Sequence, residues 1–361
     1  MNTFRRKLMA VNSKKNFSKV PFYSHALEAG TFTLHLLVDT SDISLVLYSI
    51  NDSSFSHAFE VSNVNSQTVN ITVPVQEGDV VYWKGCGSRY NNNTPNYNND
   101  VFESTGLYEV GGDLMSLVCP DLTSLYANDF PTVIEAYCFR NFFRNETKLV
   151  SCDDLVISAT TCKQEGCKRL FYGCTSLVNP IKVLPATTIE RQCYHTMFSE
   201  CSNLVSTPEL HAIRTAYQSF FGMFDNCVAL MAASKLSATI LDYSCYNSMF
   251  KNCTSLTKAP ELLAATLGQY SYDHMFEGCS SLNYIKAIFT TTPTLDTSNS
   301  WVKNVAATGI FVKHIDATWH VRGVNGVPNN WTIIYFDPST EKYYLSDKTT
   351  ECDDHGNVIN A

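Results

Sequence analysis

The chain has 361 residues, is 45% hydrophobic and only 17% charged, and carries a formal net charge of −8. That composition can build a sizeable core and excludes a disordered chain, and the acidic balance argues against a nucleic-acid surface. No run of 18 apolar residues occurs, which excludes a helical membrane span.

Residues 1–19 are basic, with Arg5, Arg6, Lys7, Lys14, Lys15 and Lys19, and hold an apolar run of only four residues, 8–11. An export signal needs an apolar stretch of about 7–15 residues. No such signal is expected, and the segment reads as a basic N-terminal arm. Residues 20–113 alternate in the manner of strands. Phe32, Leu34 and Leu36 share one face of 31–37; 43–48 is a second run; Val69, Ile71 and Val73 share one face of 68–75. The sequence Gln76-Glu77-Gly78-Asp79 marks a turn before a strand at 80–84. Short strands at this spacing predict a small all-β sandwich. Residues 89–100, RYNNNTPNYNND, form a polar loop of a composition that suits adaptable binding surfaces.

From Phe171 to Leu282 the chain repeats itself. Phe171, Phe198, Phe224, Phe250 and Phe276 lie 27, 26, 26 and 26 residues apart. Cys174, Cys201, Cys227, Cys253 and Cys279 follow three residues later, and Leu177, Leu204, Leu230, Leu256 and Leu282 three after those. A fixed period of this length predicts a solenoid, each unit burying its apolar face against its neighbours. Burying one Phe or Leu contributes roughly 1.5–3 kcal/mol, whereas fixing one backbone residue costs about 1–2 kcal/mol. A single unit therefore cannot fold alone, and the stack needs capped ends. In the unit from Cys245, the residues Cys245, Met249, Phe250 and Cys253 fall at i, i+4, i+5 and i+8, which predicts a helix of two turns. A short strand at 255–259 follows and Pro260 ends it.

The expected fold is thus an α/β solenoid of period about 26 preceded by the sandwich. Residues 114–165 are read as a leading cap and first degenerate repeat. In it, Glu146 stands in the cysteine position with its polar edge turned to solvent. Residues 166–288 are the solenoid, 289–337 a C-terminal cap built on Trp301, Trp319 and Trp331, and 338–361 a polar tail. Most of the fourteen cysteines sit at repeat positions, so they read as small packing residues rather than disulfide partners. No Cys-x-x-Cys pair occurs, and no metal or cofactor is expected.

No phosphate loop, dinucleotide fingerprint, metalloprotease motif or nucleophile elbow is present. Cys193 and His195 do not read as a nucleophile and base, because Cys193 belongs to the packing pattern. Glu209 and Glu261 occupy equivalent repeat positions and read as surface residues rather than a catalytic pair. A ligand surface is expected from residues that follow the leading Cys or Ser of each unit: Tyr194, His195, Tyr246, Asn247, Tyr272, Asp273 and His274. Lys258, Tyr284 and Lys286 are placed on the strand side. Columns of Tyr and His can stack on sugar rings or grip a protein.

The units CYHTMFSECSNL from Cys193, CTSLTKAPELLAATL from Cys253 and LPATTI from Leu184 resemble the BspA-like leucine-rich repeats of Bacteroidales bacteria and their phages. The flanks DVVYWKGCGSRY from Asp79, LYEVGGDLMSLVC from Leu107, YIKAIFTTTP from Tyr284 and GVNGVPNNWTI from Gly323 are similar to segments that border such repeats. The resemblance covers roughly residues 25–335. The opening FRRKLMA resembles phage and prophage proteins of these bacteria. The resemblance implies a leucine-rich-repeat fold and a non-enzymatic role in recognition or adhesion. The first expectation is a phage virion component, of tail or fibre, that binds a host-surface glycan or protein. The arm or sandwich would hold other virion proteins or further copies of this chain. A bacterial cell-surface adhesin and a virion decoration protein without a receptor role are the alternatives.

Overall fold

The computed structural model describes residues 21–38, 44–52, 56–61, 67–86, 101–118 and 131–359. The basic arm, the Asn/Tyr-rich loop and Cys119 lie outside the described residues. Two sheets face each other at the N-terminal end. One has the order β10-β8-β1-β6-β3-β4, from Leu149–Val156, Tyr108–Asp113, Tyr23–Ala26, Val80–Cys86, Ser44–Ile50 and His57–Val61. The other has the order β5-β2-β7, from Gln67–Val75, Gly30–Val38 and Val101–Ser104. Phe32 and Leu34 of β2 and Ile71, Val73 and Val75 of β5 are buried, the face expected from period-two alternation. They close over Trp83, Phe102 and Tyr108, and Trp83 Nε1 donates to Ser24 Oγ at 3.0 Å.

The sandwich runs directly into the repeats. β10 pairs in parallel with β8 of the sandwich, and its Ser151 bridges to Asn179 in the next turn. The core is continuous across this join, since Phe102 packs edge-on against Phe143 at 5.8 Å. Glu146 does not face solvent as its place in a cap suggested. It is 6% exposed and accepts from the backbone N–H of Ser104 at 2.7 Å and Lys148 at 3.2 Å. Its carboxylate stands where later turns have cysteine and satisfies one amide of the sandwich edge and one of its own turn, and burial pushes its pKa up.

The repeats form a β-solenoid of about eight turns with a period near 26, not an α/β leucine-rich-repeat solenoid. The only α-helix among the described residues is α1, Leu295–Ser298. The segments expected as helices are ribbons of successive turns. In the turn from Cys245, alternate amides donate backwards over three residues: Met249 to Tyr246 and Cys253 to Phe250, both at 3.1 Å. The amides between them donate sideways to the next turn: Tyr246 to Ser271, Ser248 to Asp273, Phe250 to Met275 and Asn252 to Glu277. An α-helix would close every bond over four residues within itself. Here φ is positive at every fourth residue, 50° at Ser244, 57° at Ser248 and 59° at Asn252, which no α-helix permits. The inward pairs Cys245–Tyr246 and Met249–Phe250 recur with a period of four. Over two turns that period is hard to separate from 3.6, and so the segment read as a helix.

The opposite faces carry short parallel bridges. β9 (Val133–Ile134), β11 (Thr161–Cys162) and β13 (Thr188–Ile189) form one column, and β12 (Val183–Leu184) and β14 (Glu209–Leu210) another. Single bridges such as Leu210 to Leu236 and Leu236 to Leu262 extend the columns. Inside, the phenylalanines stack face to face. Centroid spacings are 5.2 Å (Phe143–Phe171), 5.1 Å (Phe171–Phe198), 5.6 Å (Phe198–Phe224), 5.5 Å (Phe224–Phe250) and 5.8 Å (Phe250–Phe276). Trp301 ends the stack at 6.3 Å from Phe276, tilted by 49°.

At the C-terminal end β15 (Tyr284–Ala287), β16 (Ile310–His314) and β17 (Thr332–Asp337) continue the parallel ladder. β18 (Lys342–Tyr344) and β19 (Glu351–Cys352) then fold back antiparallel, with Tyr335 opposite Tyr344 and Phe336 opposite Tyr343. Trp319 and Trp331 are also buried there. No helix among the described residues is long and apolar enough to cross a membrane.

Candidate functional site

The turn ribbon is the face on which side chains of successive turns form outward columns. Each four-residue unit points two residues inward and leaves two at the surface. Fifteen repeat residues point in: Phe171, Cys174, Leu177 and their counterparts down to Phe276, Cys279 and Leu282 are at most 1% exposed. Twelve of the fourteen cysteines have described side chains, and all twelve are buried with none in a disulfide. Their thiols donate to the carbonyl of the phenylalanine one turn back: Cys201 to Phe171 at 3.0 Å, Cys227 to Phe198 at 3.1 Å, Cys253 to Phe224 at 3.1 Å and Cys279 to Phe250 at 2.9 Å. The column is therefore also a hydrogen-bonding one.

The residues expected to form a ligand surface divide. Tyr194, Tyr246 and Tyr272 are 2%, 2% and 1% exposed and belong to the interior. They stack through Phe220, with Tyr194–Phe220 at 5.6 Å and Tyr246–Tyr272 at 6.3 Å, because the residue after each leading Cys or Ser is the second inward position. They offer no surface to a ligand. His195 is half-buried and stacks on Phe221 at 4.9 Å. Burial first, then the charges of Lys168 and Arg169, push its pKa down to about 3, so the ring is neutral. Asn247 is half-buried and accepts from Ser248 Oγ at 2.8 Å. Asp273 is buried and accepts from the Asn299 amide at 2.9 Å, and burial raises its pKa. His274, half-buried with φ of 53°, meets Glu277 at 2.9 Å.

Glu277 also binds Lys251 at 3.3 Å and Lys303 at 2.8 Å, so one carboxylate ties three consecutive turns. Burial would raise its pKa, but hydrogen bonds and charge from Lys303 and Lys251 hold it at about 2. This cluster is satisfied within itself. On the strand side, Lys258 lies 4.5 Å over the Tyr284 ring, and Lys286 pairs with Glu261 at 3.1 Å and lies 3.7 Å over Phe336. Lys286 also donates to Tyr343 of β18 at 3.1 Å, which ties the closing hairpin to the ladder.

The first turns of the ribbon are different. Arg140 and Lys168 both bind Glu165, at 3.0 and 3.2 Å. Arg144 and Arg169 both lie over the ring of Tyr172, at 5.6 and 5.7 Å, and Arg191 lies 5.6 Å over Tyr217. None of these last three makes an ion pair among the described residues, and Arg169 Nε has no hydrogen-bond partner. Tyr217 is 40% exposed and stacks on Tyr243 at 5.3 Å. Tyr172 donates to Glu200 at 2.5 Å, which fixes the ring that both guanidiniums share. Arg144 also borders a cavity of about 340 Å³ at the join with the sandwich, shared with Glu103, Ser104 and Asn141. This arginine–tyrosine face was not foreseen from the sequence. The signal was present in Arg144, Arg169 and Arg191, but it appears only once the four-residue frame shows which positions point outward.

No family model matches this sequence, and neither a curated protein nor a solved structure shows significant similarity to it.

Proposed function

We infer that the chain is a non-enzymatic recognition protein whose solenoid presents the turn ribbon to a glycan or protein on a host-cell surface. The carrier is a phage particle, in its tail or fibre, and the sandwich and N-terminal arm provide the attachment. The observation that carries this reading is the outer face of the ribbon. Cationic and aromatic side chains from successive turns stand there in fixed columns, held by backbone bonds between the turns rather than by loops. Such rigid display limits the ordering cost of binding an extended ligand. The likeness of the repeats to BspA-like proteins of Bacteroidales and their phages supports both the role and the carrier.

The same likeness supports a second reading, a bacterial surface adhesin with the same recognition role. One experiment addresses both. Purified labelled chain is incubated with intact Bacteroidales cells, and phage particles and outer membranes from the same strains are searched by mass spectrometry for its peptides. Saturable cell binding with stoichiometric peptides in particles is the expected result. Peptides confined to the outer membrane replace the phage reading with the adhesin. Absence of cell binding overturns recognition itself.

A further inference from the structure

We propose that the first turns of the ribbon, centred on Arg144, Arg169 and Tyr172, bind an acidic polysaccharide bearing carboxylate or sulfate groups. This rests on the recognition reading above and names its site and ligand class. Two guanidiniums share one tyrosine ring with no carboxylate paired to either among the described residues. In a chain of net charge −8, unpaired arginines gathered on one face are unexpected. Cations gathered without a carboxylate partner are stabilised by a bound anion, and the guanidinium fork matches a carboxylate or sulfate in two parallel hydrogen bonds.

A second observation selects a sugar polymer. Arg144 borders the cavity of about 340 Å³, and the Oδ1 of Asn141, which also lines it, is buried without a hydrogen-bond partner. An unfilled acceptor beside an unpaired guanidinium asks for a ligand with a hydroxyl and an acidic group a short distance apart, as an acidic sugar has. Of the acids in the cavity, Glu146 is engaged by two backbone amides, and Glu103 is 60% exposed with its carboxylate 3.2 Å from His35 Nε2. The ligand's anionic group therefore sits outward at the arginines and its hydroxyls inward. Arg191 over Tyr217 extends the face by one further turn. A nucleic acid fits poorly. Its dense phosphates demand many cations, and Glu165 and Glu200 are interleaved here.

The test measures binding of the full chain to immobilised polygalacturonate, chondroitin sulfate, neutral dextran and duplex DNA, at low and high salt. The double variant Arg144→Gln/Arg169→Gln is compared with Arg144→Lys/Arg169→Lys and with Lys303→Gln at the far end of the ribbon. Thermal melts establish that each is folded. The inference expects salt-sensitive binding to at least one anionic polysaccharide and none to dextran. Affinity should fall at least tenfold in the glutamine variant, partly recover in the lysine variant and stay unchanged in K303Q. Equal binding by the folded glutamine variant, no binding to either anionic polysaccharide, or equal binding to dextran or DNA would overturn it. In those cases, binding of the chain to intact cells would preserve the broader recognition reading, and its loss would remove both.

Discussion

The column cysteines behave as small apolar residues with one additional function. Each is fully buried, and each thiol donates to a carbonyl one turn back. Burial pushes the thiols of Cys245 and Cys279 up to about 12, so almost no thiolate exists at neutral pH. Cys201, Cys227, Cys253 and Cys279 are all fully buried, so they should resist alkylation in the folded chain and react together on unfolding, a pattern that peptide mapping by mass spectrometry reads directly. Rapid labelling of any of the four in the native protein would contradict the buried column. His195 gives a second test at this scale. With a folded pKa of about 3 against about 6.5 for a free histidine, the native ring refuses a proton that the unfolded chain accepts. The contribution is absent above the unfolded value, and stability from this group falls as pH drops from about 6.5 towards 3. The imidazole carbon shifts of His195 should stay those of a neutral ring at pH 5, and a titration midpoint near 6.5 would contradict the packing against Phe221.

At the scale of the element, the repeat period, the inward columns and the need for capped ends were legible in the sequence because they depend only on which residues are apolar. The β strands at 68–75 and 80–84 were legible for the same reason, through alternation. The helix was a misreading of a four-residue period. Its correction was also written in the chain, in the residues before four of the five column cysteines: Gly173, Asn226, Asn252 and Gly278, with φ of 72°, 62°, 59° and 79°, the fifth being Glu200 at 65°. Glycine and asparagine are the residues that tolerate left-handed backbone, and their recurrence at one repeat position argues for a turn there. The tyrosines at 194, 246 and 272 were placed outside for want of that frame, since moving from 3.6 to four residues per unit turns the second inward position into a core one. Gly278→Ala separates the two geometries by sign. In a helix the change stabilises by about 1 kcal/mol. At φ of 79°, with a Cβ running into Asn252 Oδ1, it should destabilise by about 1–2 kcal/mol in denaturant unfolding.

The whole molecule is a sandwich and a solenoid that share strands and core. β8 and β10 pair across the join, and Phe102, Phe143 and the phenylalanine stack form one apolar cluster that ends at Trp301. This union could not be read from the sequence, because the pairing of Leu149 with Tyr108 depends on two segments whose apolar patterns do not name each other. It ties the ribbon to the sandwich through paired strands and a shared core, as the proposed attachment at one end and recognition along the side would require. Among the described residues, the turns from Phe171 to Leu282 are β-ribbon and bridge, and the four-residue α1 is the sole α-helix. Far-UV circular dichroism of the full chain tests this most directly. The account predicts a β- and turn-type spectrum without the paired minima of α-helix. A spectrum with the helical signature of about seven residues per turn of the solenoid would contradict it.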